Sequence, residues 1–300
     1  MTVKTALPAL LLLGVPGLLW GQDLSNMDRG WEAGVRYWRS SGETRWNHNA
    51  QPVAPTLGNP TSVLVYERLH ADALELHGAK RWRQGWFIIG NVGFGSVRKG
   101  SLDDEDFNAN QAKFSDTTSS IEGGDLAYLT VDGGREIWRS PGGSTLGIFG
   151  GLQSWVERVD AAGASGTVTI GNGVRVITNE VRWASLRAGI ALQSRIGEKT
   201  RLIAQLALVP YTRMTNYDSH YLRGDLGPTP NITMEGSGNG IQLDAEVRHS
   251  IFPTLEASAG IRYWSLKADG TARFGGSPNL PLNEIESKRF GLTLGITKRW

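Results

Sequence analysis

The sequence predicts an all-β fold, a ten-stranded antiparallel barrel that crosses a membrane with its strands. Three observations carry this. Apolar and polar residues alternate with period 2 almost from end to end, and helical periodicity is nearly absent. The connections between the alternating segments are short and long in turn, the pattern of a transmembrane barrel. Beyond the N-terminal region no apolar run reaches the ~20 residues a spanning helix needs.

Residues 1–21 begin with one Lys and continue as an apolar run broken by Pro8 and Pro16. That is the layout of a secretory signal peptide, too short and too proline-rich for a membrane anchor. Cleavage near Gly21/Gln22 leaves residues 22–300 as one barrel domain. The chain has no Cys, which excludes disulfides, thiolate metal sites and a lipoprotein anchor. A net charge of +2 is too small to argue for nucleic acid. By composition alone a soluble all-β protein remains open, and the strand pattern decides against it.

Residues 31–40 alternate from Trp31 through Val35 and Tyr37. Residues 62–82 carry Val63, Val65, Leu74 and Leu76, and 86–97 place Trp86, Ile88, Val92 and Phe94 on one face. Segments 124–139, 145–160, 178–195, 200–215, 239–250, 254–267 and 287–300 continue the series. An even count is the rule for single-chain outer-membrane barrels, and many of these runs match or exceed the ~9–11 residues of a tilted spanning strand. Short turns fall at 83–85, 141–144, 197–199 and 252–253; long connections fall at 41–61, 98–123, 161–177, 216–238 and 268–286. Trp82, Trp86 and Trp138 lie beside the short turns, where an interfacial aromatic girdle belongs. The chain ends on alternating Phe290, Leu292, Leu294, Ile296 and a terminal Trp300.

Two clusters in the long connections carry chemistry. Asp104-Glu105-Asp106 and Asp218-Ser219-His220 each place ionisable groups at i and i+2, on one face of extended backbone. With termini periplasmic and long connections extracellular, strand counting sets both clusters over one mouth on facing walls. His220 can take a proton from water, with Asp218 fixing its tautomer. Asp104 and Asp106 crowd negative charge, so one carboxyl should hold its proton to higher pH. Alone, each cluster reads as an ordinary polar loop, and His48, His70, His77 and His249 are assigned nothing. Parity opposes the arrangement. Strict alternation from Leu202, Leu206 and Leu208 sends Asp218 and His220 toward lipid, so a bulge is required, with Pro210 its natural place. Gly100 and its neighbours serve the same purpose before Asp104.

At these residues the chain resembles the omptin family of outer-membrane endopeptidases, ten-stranded barrels that cleave polypeptides at the cell surface. Asp104-Glu105-Asp106-Phe107 is similar to that family's Asp-x-Asp-aromatic element, and Asp218-Ser219-His220-Tyr221 to its Asp-x-His-Tyr element. Phe114-Ser115-Asp116 resembles its Trp-Thr-Asp signature without the His-Pro that follows. Gly150-Gly151-Leu152-Gln153 is loosely similar to a fifth-strand stretch. The resemblance implies that Asp218 and His220 activate water, that Asp104 and Asp106 assist, and that Asp116 lies near the substrate. Trp46 and Asn216 stand where the family holds a basic side chain with acids, which implies a changed cleavage preference. It further implies lipopolysaccharide as an activator rather than a cofactor or metal, with Arg158, Arg182 and Arg187 as candidate contacts, and a polypeptide substrate; a barrel of this size is expected to be a monomer. Two rivals stand beside this: a catalytically silent adhesin or structural barrel, and a lipid A-modifying barrel with its groups toward lipid.

Overall fold

The computed structural model describes residues 30–300; the expected signal peptide lies outside the described residues. Ten strands form one closed antiparallel ring in sequence order, with β1 paired to β10. They are β1 (Gly30–His48), β2 (Leu57–Arg81), β3 (Trp86–Asn108), β4 (Lys113–Arg139), β5 (Thr145–Gly166), β6 (Ile170–Arg195), β7 (Thr200–His220), β8 (Ile232–Phe252), β9 (Leu255–Phe274) and β10 (Leu280–Arg299). Full closure leaves no strand edge unpaired, which a bilayer demands because it offers no water to backbone groups.

The strands run 19 to 27 residues. At ~3.3 Å per residue and ~40° tilt, a 25-residue strand such as β2 rises about 60 Å, more than twice an apolar band of ~25 Å. The barrel therefore stands well clear of the membrane at one end. This revises the reading of residues 98–123 and 216–238 as loops. Most of 98–123 is paired strand with a turn at 109–112, and β7 stays paired as far as His220. Backbone outside the bilayer still gains from pairing, and β-branched Thr and Val continue the ladder. The asymmetry of the two ends holds, because the connections at 82–85, 140–144, 196–199 and 253–254 are tight turns.

The wall at membrane height is apolar outside. Leu74, Leu76, Phe94, Leu129, Leu152, Leu208, Leu292 and Leu294 are all exposed. Trp31, Trp82, Trp86, Trp138, Phe252 and Trp300 ring the short-turn end, also exposed, which is the girdle expected there. The lumen is filled. Arg262 is fully buried among Trp38, Tyr128 and Trp264, with ring centroids 4.9–5.5 Å from its guanidinium, and bonds Glu75 at 2.6 Å and Asp244 at 2.8 Å. Gly93 makes room for this layer: a Cβ there would lie 2.1 Å from the Tyr128 ring. Nearer the tall end, Arg289 on β10 crosses the lumen to Glu157 on β5. Trp183 on β6 donates to Ser287 on β10, which bonds Thr44 at 2.9 Å. These cross-lumen bonds floor the mouth and leave no general pore beneath it.

Candidate functional site

The parity conflict is resolved where Pro210 stands. On β7, Ala207 and Val209 face the lumen, Pro210 and Tyr211 are both exposed, and Thr212, Met214, Asn216 and Asp218 face the lumen again. The β7–β8 register shifts between Val209 and Thr212, and the β6–β7 register between Leu186 and Ala188. One extra residue moves the whole upper half of β7 to the other face. Proline is tolerated because the bulge needs no ladder N–H there. β3 resets likewise. Val97 is buried, Arg98 and Lys99 are exposed, and Leu102 is buried, which carries Asp104 and Asp106 onto the lumen-facing row. On β2 the reset falls at Arg68, whose φ is +51°, so that Leu64 and Tyr66 face inward above it.

Asp218 is fully buried. Its Oδ2 accepts a hydrogen bond from the Tyr66 hydroxyl at 3.0 Å, and its Oδ1 lies 3.6 Å from His220 Nε2. The second distance is an ion-pair spacing, too long for a hydrogen bond. With Nε2 turned to Asp218, Nδ1 is the nitrogen left to take a proton. Asn231 fixes the backbone of His220: its Oδ1 accepts from His220 N–H at 2.8 Å and its Nδ2 donates to His220 C=O at 3.0 Å.

On the facing wall, Ser62 of β2 sits directly across from Asp106 of β3 and donates to its Oδ1 at 2.5 Å. Asp104 shares the field of the whole cluster. Burial first, then the charge of Asp106, push its carboxyl up to about 7; Asp218 acts in the same sense, and His220 and Arg223 act against it. Burial alone would push the His220 imidazole down, but the charges of Asp218 and Asp104 outweigh it and hold the ring above its ordinary value. Burial, reinforced by Asp218 and Asp104, drives the Tyr66 phenol well above its usual range, so it stays a donor. Arg223, in the connection 221–231 and paired with Asp225 at 2.7 Å, feels both Asp104 and Asp106.

The structure brings Asp104, Asp106, Asp218 and His220 onto lumen-facing rows of one mouth. Trp46 and Asn216 face the same interior, each almost fully buried. The Asn216 amide donates to Met234 Sδ at 3.6 Å, while its Oδ1 and Trp46 Nε1 are buried without a hydrogen-bond partner. Asp116 is not part of this set. It pairs across β3–β4 with Glu105, so it shares Glu105's outer face, where Lys113 binds both at 2.9 and 2.5 Å. Arg187 is also displaced from its expected role. It is buried in the lumen beside Asp132 at 3.6 Å, while Arg158 and Arg182 remain on the outer surface. Parity explains both: each lies an odd number of residues from the row that its assigned role required.

Four mouth residues escaped the sequence reading. Tyr66, Ser62 and Asn231 belong to no motif, and Tyr66 lies 152 residues from Asp218 in the chain. His48 faces the mouth opposite Ser62, 4.5 Å in ring centroid from Phe274, and burial lowers its imidazole to about 4. Alternation along β1 from Trp46 was the available signal for His48.

The fold and the mouth together define a membrane β-barrel with an acid–imidazole cluster above a lumen crossed by side-chain bonds. No family model matches the sequence, and no curated protein sequence matches it. Among solved structures, the barrel is similar to the outer membrane protease OmpT of Escherichia coli at 15% identity, covering 90% of this chain and 97% of that one, with a TM-score of 0.67. Ail of Yersinia pestis aligns at 11% identity over 91% and 99% of the two chains, with a TM-score of 0.32. OprG of Pseudomonas aeruginosa aligns at 8% identity over 90% and 98%, with a TM-score of 0.34. The OmpT likeness establishes the outer-membrane barrel fold; identity this low establishes no chemistry.

Proposed function

We propose that this barrel is an outer-membrane endopeptidase of omptin type, hydrolysing peptide bonds at the bacterial cell surface. The observation that carries the reading is the lumen-facing Asp218–His220 pair, whose field also reaches Asp104. The tall end faces outside and the termini lie in the periplasm. A water between the two walls loses a proton to His220 as its oxygen adds to the substrate carbonyl. Asp218 stabilises the imidazolium. Asp104, in its protonated form, donates to the developing oxyanion, with Asp106 beside it. The imidazolium then returns its proton to the leaving amine as the C–N bond breaks.

Asn216, two residues before Asp218 on β7, and Trp46 on β1 across the interior receive the side chain before the scissile bond. Neutral groups there favour a neutral or aromatic residue over a basic one. Lipopolysaccharide activates the enzyme through outer basic residues such as Arg158 and Arg182. Its substrate is a polypeptide, and the barrel acts as a monomer. A lipid A-modifying role is less well supported, because Asp218 and His220 lie on the lumen face. To test the proposal, the full chain is refolded with lipopolysaccharide and offered a mixed peptide library. Cleavage lost in His220→Ala supports it. Cleavage that persists in that variant refutes the mechanism, and no cleavage by the wild type favours a silent surface barrel.

A further inference from the structure

Asp218 is the most constrained carboxylate of the mouth, and its second partner comes from the far side of the barrel. Tyr66 on β2 and Asp218 on β7 lie five strands apart in a ring of ten, on opposite walls. Both are fully buried, yet their side chains meet at 3.0 Å. The two oxygens are divided: Oδ2 accepts from the phenol, and Oδ1 faces His220 Nε2 at 3.6 Å with no hydrogen bond of its own. Rotating the carboxylate would break the Tyr66 bond inside a water-poor site, where an unmet acceptor is costly.

Tyr66 is itself held. It stands directly opposite Thr44 on β1 and Leu102 on β3, both buried. Its inward orientation depends on the β2 reset at Arg68; with strict alternation from Leu69 and Ala71 the phenol would face outward.

We infer that Tyr66 is a positioning residue of this site: its phenol anchors Asp218 Oδ2 and thereby sets how strongly the carboxylate acts on His220. This rests on the hydrolytic reading above, and its test separates the two. The hydroxyl also draws off part of the carboxylate's charge. Without it, Asp218 attracts the imidazolium more strongly, and His220 keeps its proton to higher pH. The charged groups that act on His220 are Asp218 on its own strand, Asp104 on β3 and Arg223 in the connection above; Asp106 acts on Asp104, and Tyr66 of β2 bonds Asp218.

The experiment uses Tyr66→Phe in the full barrel, refolded in micelles with lipopolysaccharide. Histidine ring nitrogens are titrated by NMR, with the His220 signal assigned from His220→Gln. The kcat and KM of a library peptide are followed against pH. The His220 midpoint and the acid limb of kcat/KM should rise together by about half to one pH unit. At neutral pH kcat should fall about tenfold to a hundredfold, with KM within about twofold. 3-Fluorotyrosine at position 66, a stronger donor, should move the midpoint down and serves if the Phe variant does not refold. An unmoved His220 midpoint in a folded variant overturns the inference, even where activity is lost. If the wild type cuts no peptide, the titration still decides Tyr66, and it is the hydrolytic reading that falls.

Discussion

Asp104→Asn provides a test of the mouth's electrostatics that needs no substrate. In the folded barrel the Asp104 carboxyl is pushed up to about 7 by burial and by Asp106, against an ordinary value of 3.8. The folded chain therefore keeps a proton that the unfolded chain releases. The sign follows from linkage: between about pH 4 and pH 7 the native state binds more protons, so stability falls as pH rises through that window. A shift from 3.8 to about 7 corresponds to about 4 kcal/mol in full, and water entering an open mouth reduces this to about 2. Asn fills nearly the same space and carries no such dependence. The variant's stability should thus gain on the wild type by about 2–4 kcal/mol between pH 4 and pH 8. The assay is reversible urea unfolding in micelles, followed by tryptophan fluorescence at both pH values for both proteins. Comparing the two differences removes any pH-independent effect of the substitution. Parallel pH dependences in the two proteins would refute the placement of Asp104 in this field.

Three further outcomes are expected. The rate kcat/KM should rise as His220 loses its proton above its ordinary 6.5 and fall as Asp104 loses its own near 7, giving a narrow optimum near neutrality; a profile still climbing at pH 9 contradicts the acid role of Asp104. Asn231→Ala removes both bonds to the His220 backbone and should cost about 1–2 kcal/mol, with faster proteolytic nicking of 221–231 and lower kcat; a nicking rate equal to wild type counts against the clamp. Arg262→Ala takes the nearer of two cations from buried Glu75, leaving Arg36 at 3.3 Å, and opens the stack of Trp38, Tyr128 and Trp264; it should destabilise the barrel by about 2–4 kcal/mol, read as a lower unfolding midpoint in the same urea assay, and an unchanged midpoint shows that the layer is not a structural plug.

The residues differ in how far they could be read. The alternation of β10 from Phe290 to Ile296 is visible by eye, because one face meets lipid and the other the lumen at every step. The Pro210 bulge was legible as a contradiction: strict alternation puts Leu206, Leu208, Asp218 and His220 on one face, yet the leucines suit lipid and the ionisable pair suits the lumen. Its place was legible because proline marks where a ladder N–H is dispensable. Asp116 and Arg187 show the opposite case. Motif spacing suggested the site for one and charge suggested lipid contact for the other, but the face each takes depends on local register, which a bulge can reverse. The loops became tall strands because pairing continues wherever two segments lie side by side, whether or not lipid surrounds them.

Sequence alone determined the all-β class, the number of strands, their order, and the two clusters at i and i+2. These are local properties, written in periods of two and in turn residues. Only the tertiary structure decided which side chains meet across the lumen. Tyr66 meets Asp218, Trp183 meets Ser287 and Arg289 meets Glu157 because closing the sheet sets opposite walls within one side chain's reach. That closure depends on the sum of every register shift around the ring, a quantity no single segment contains.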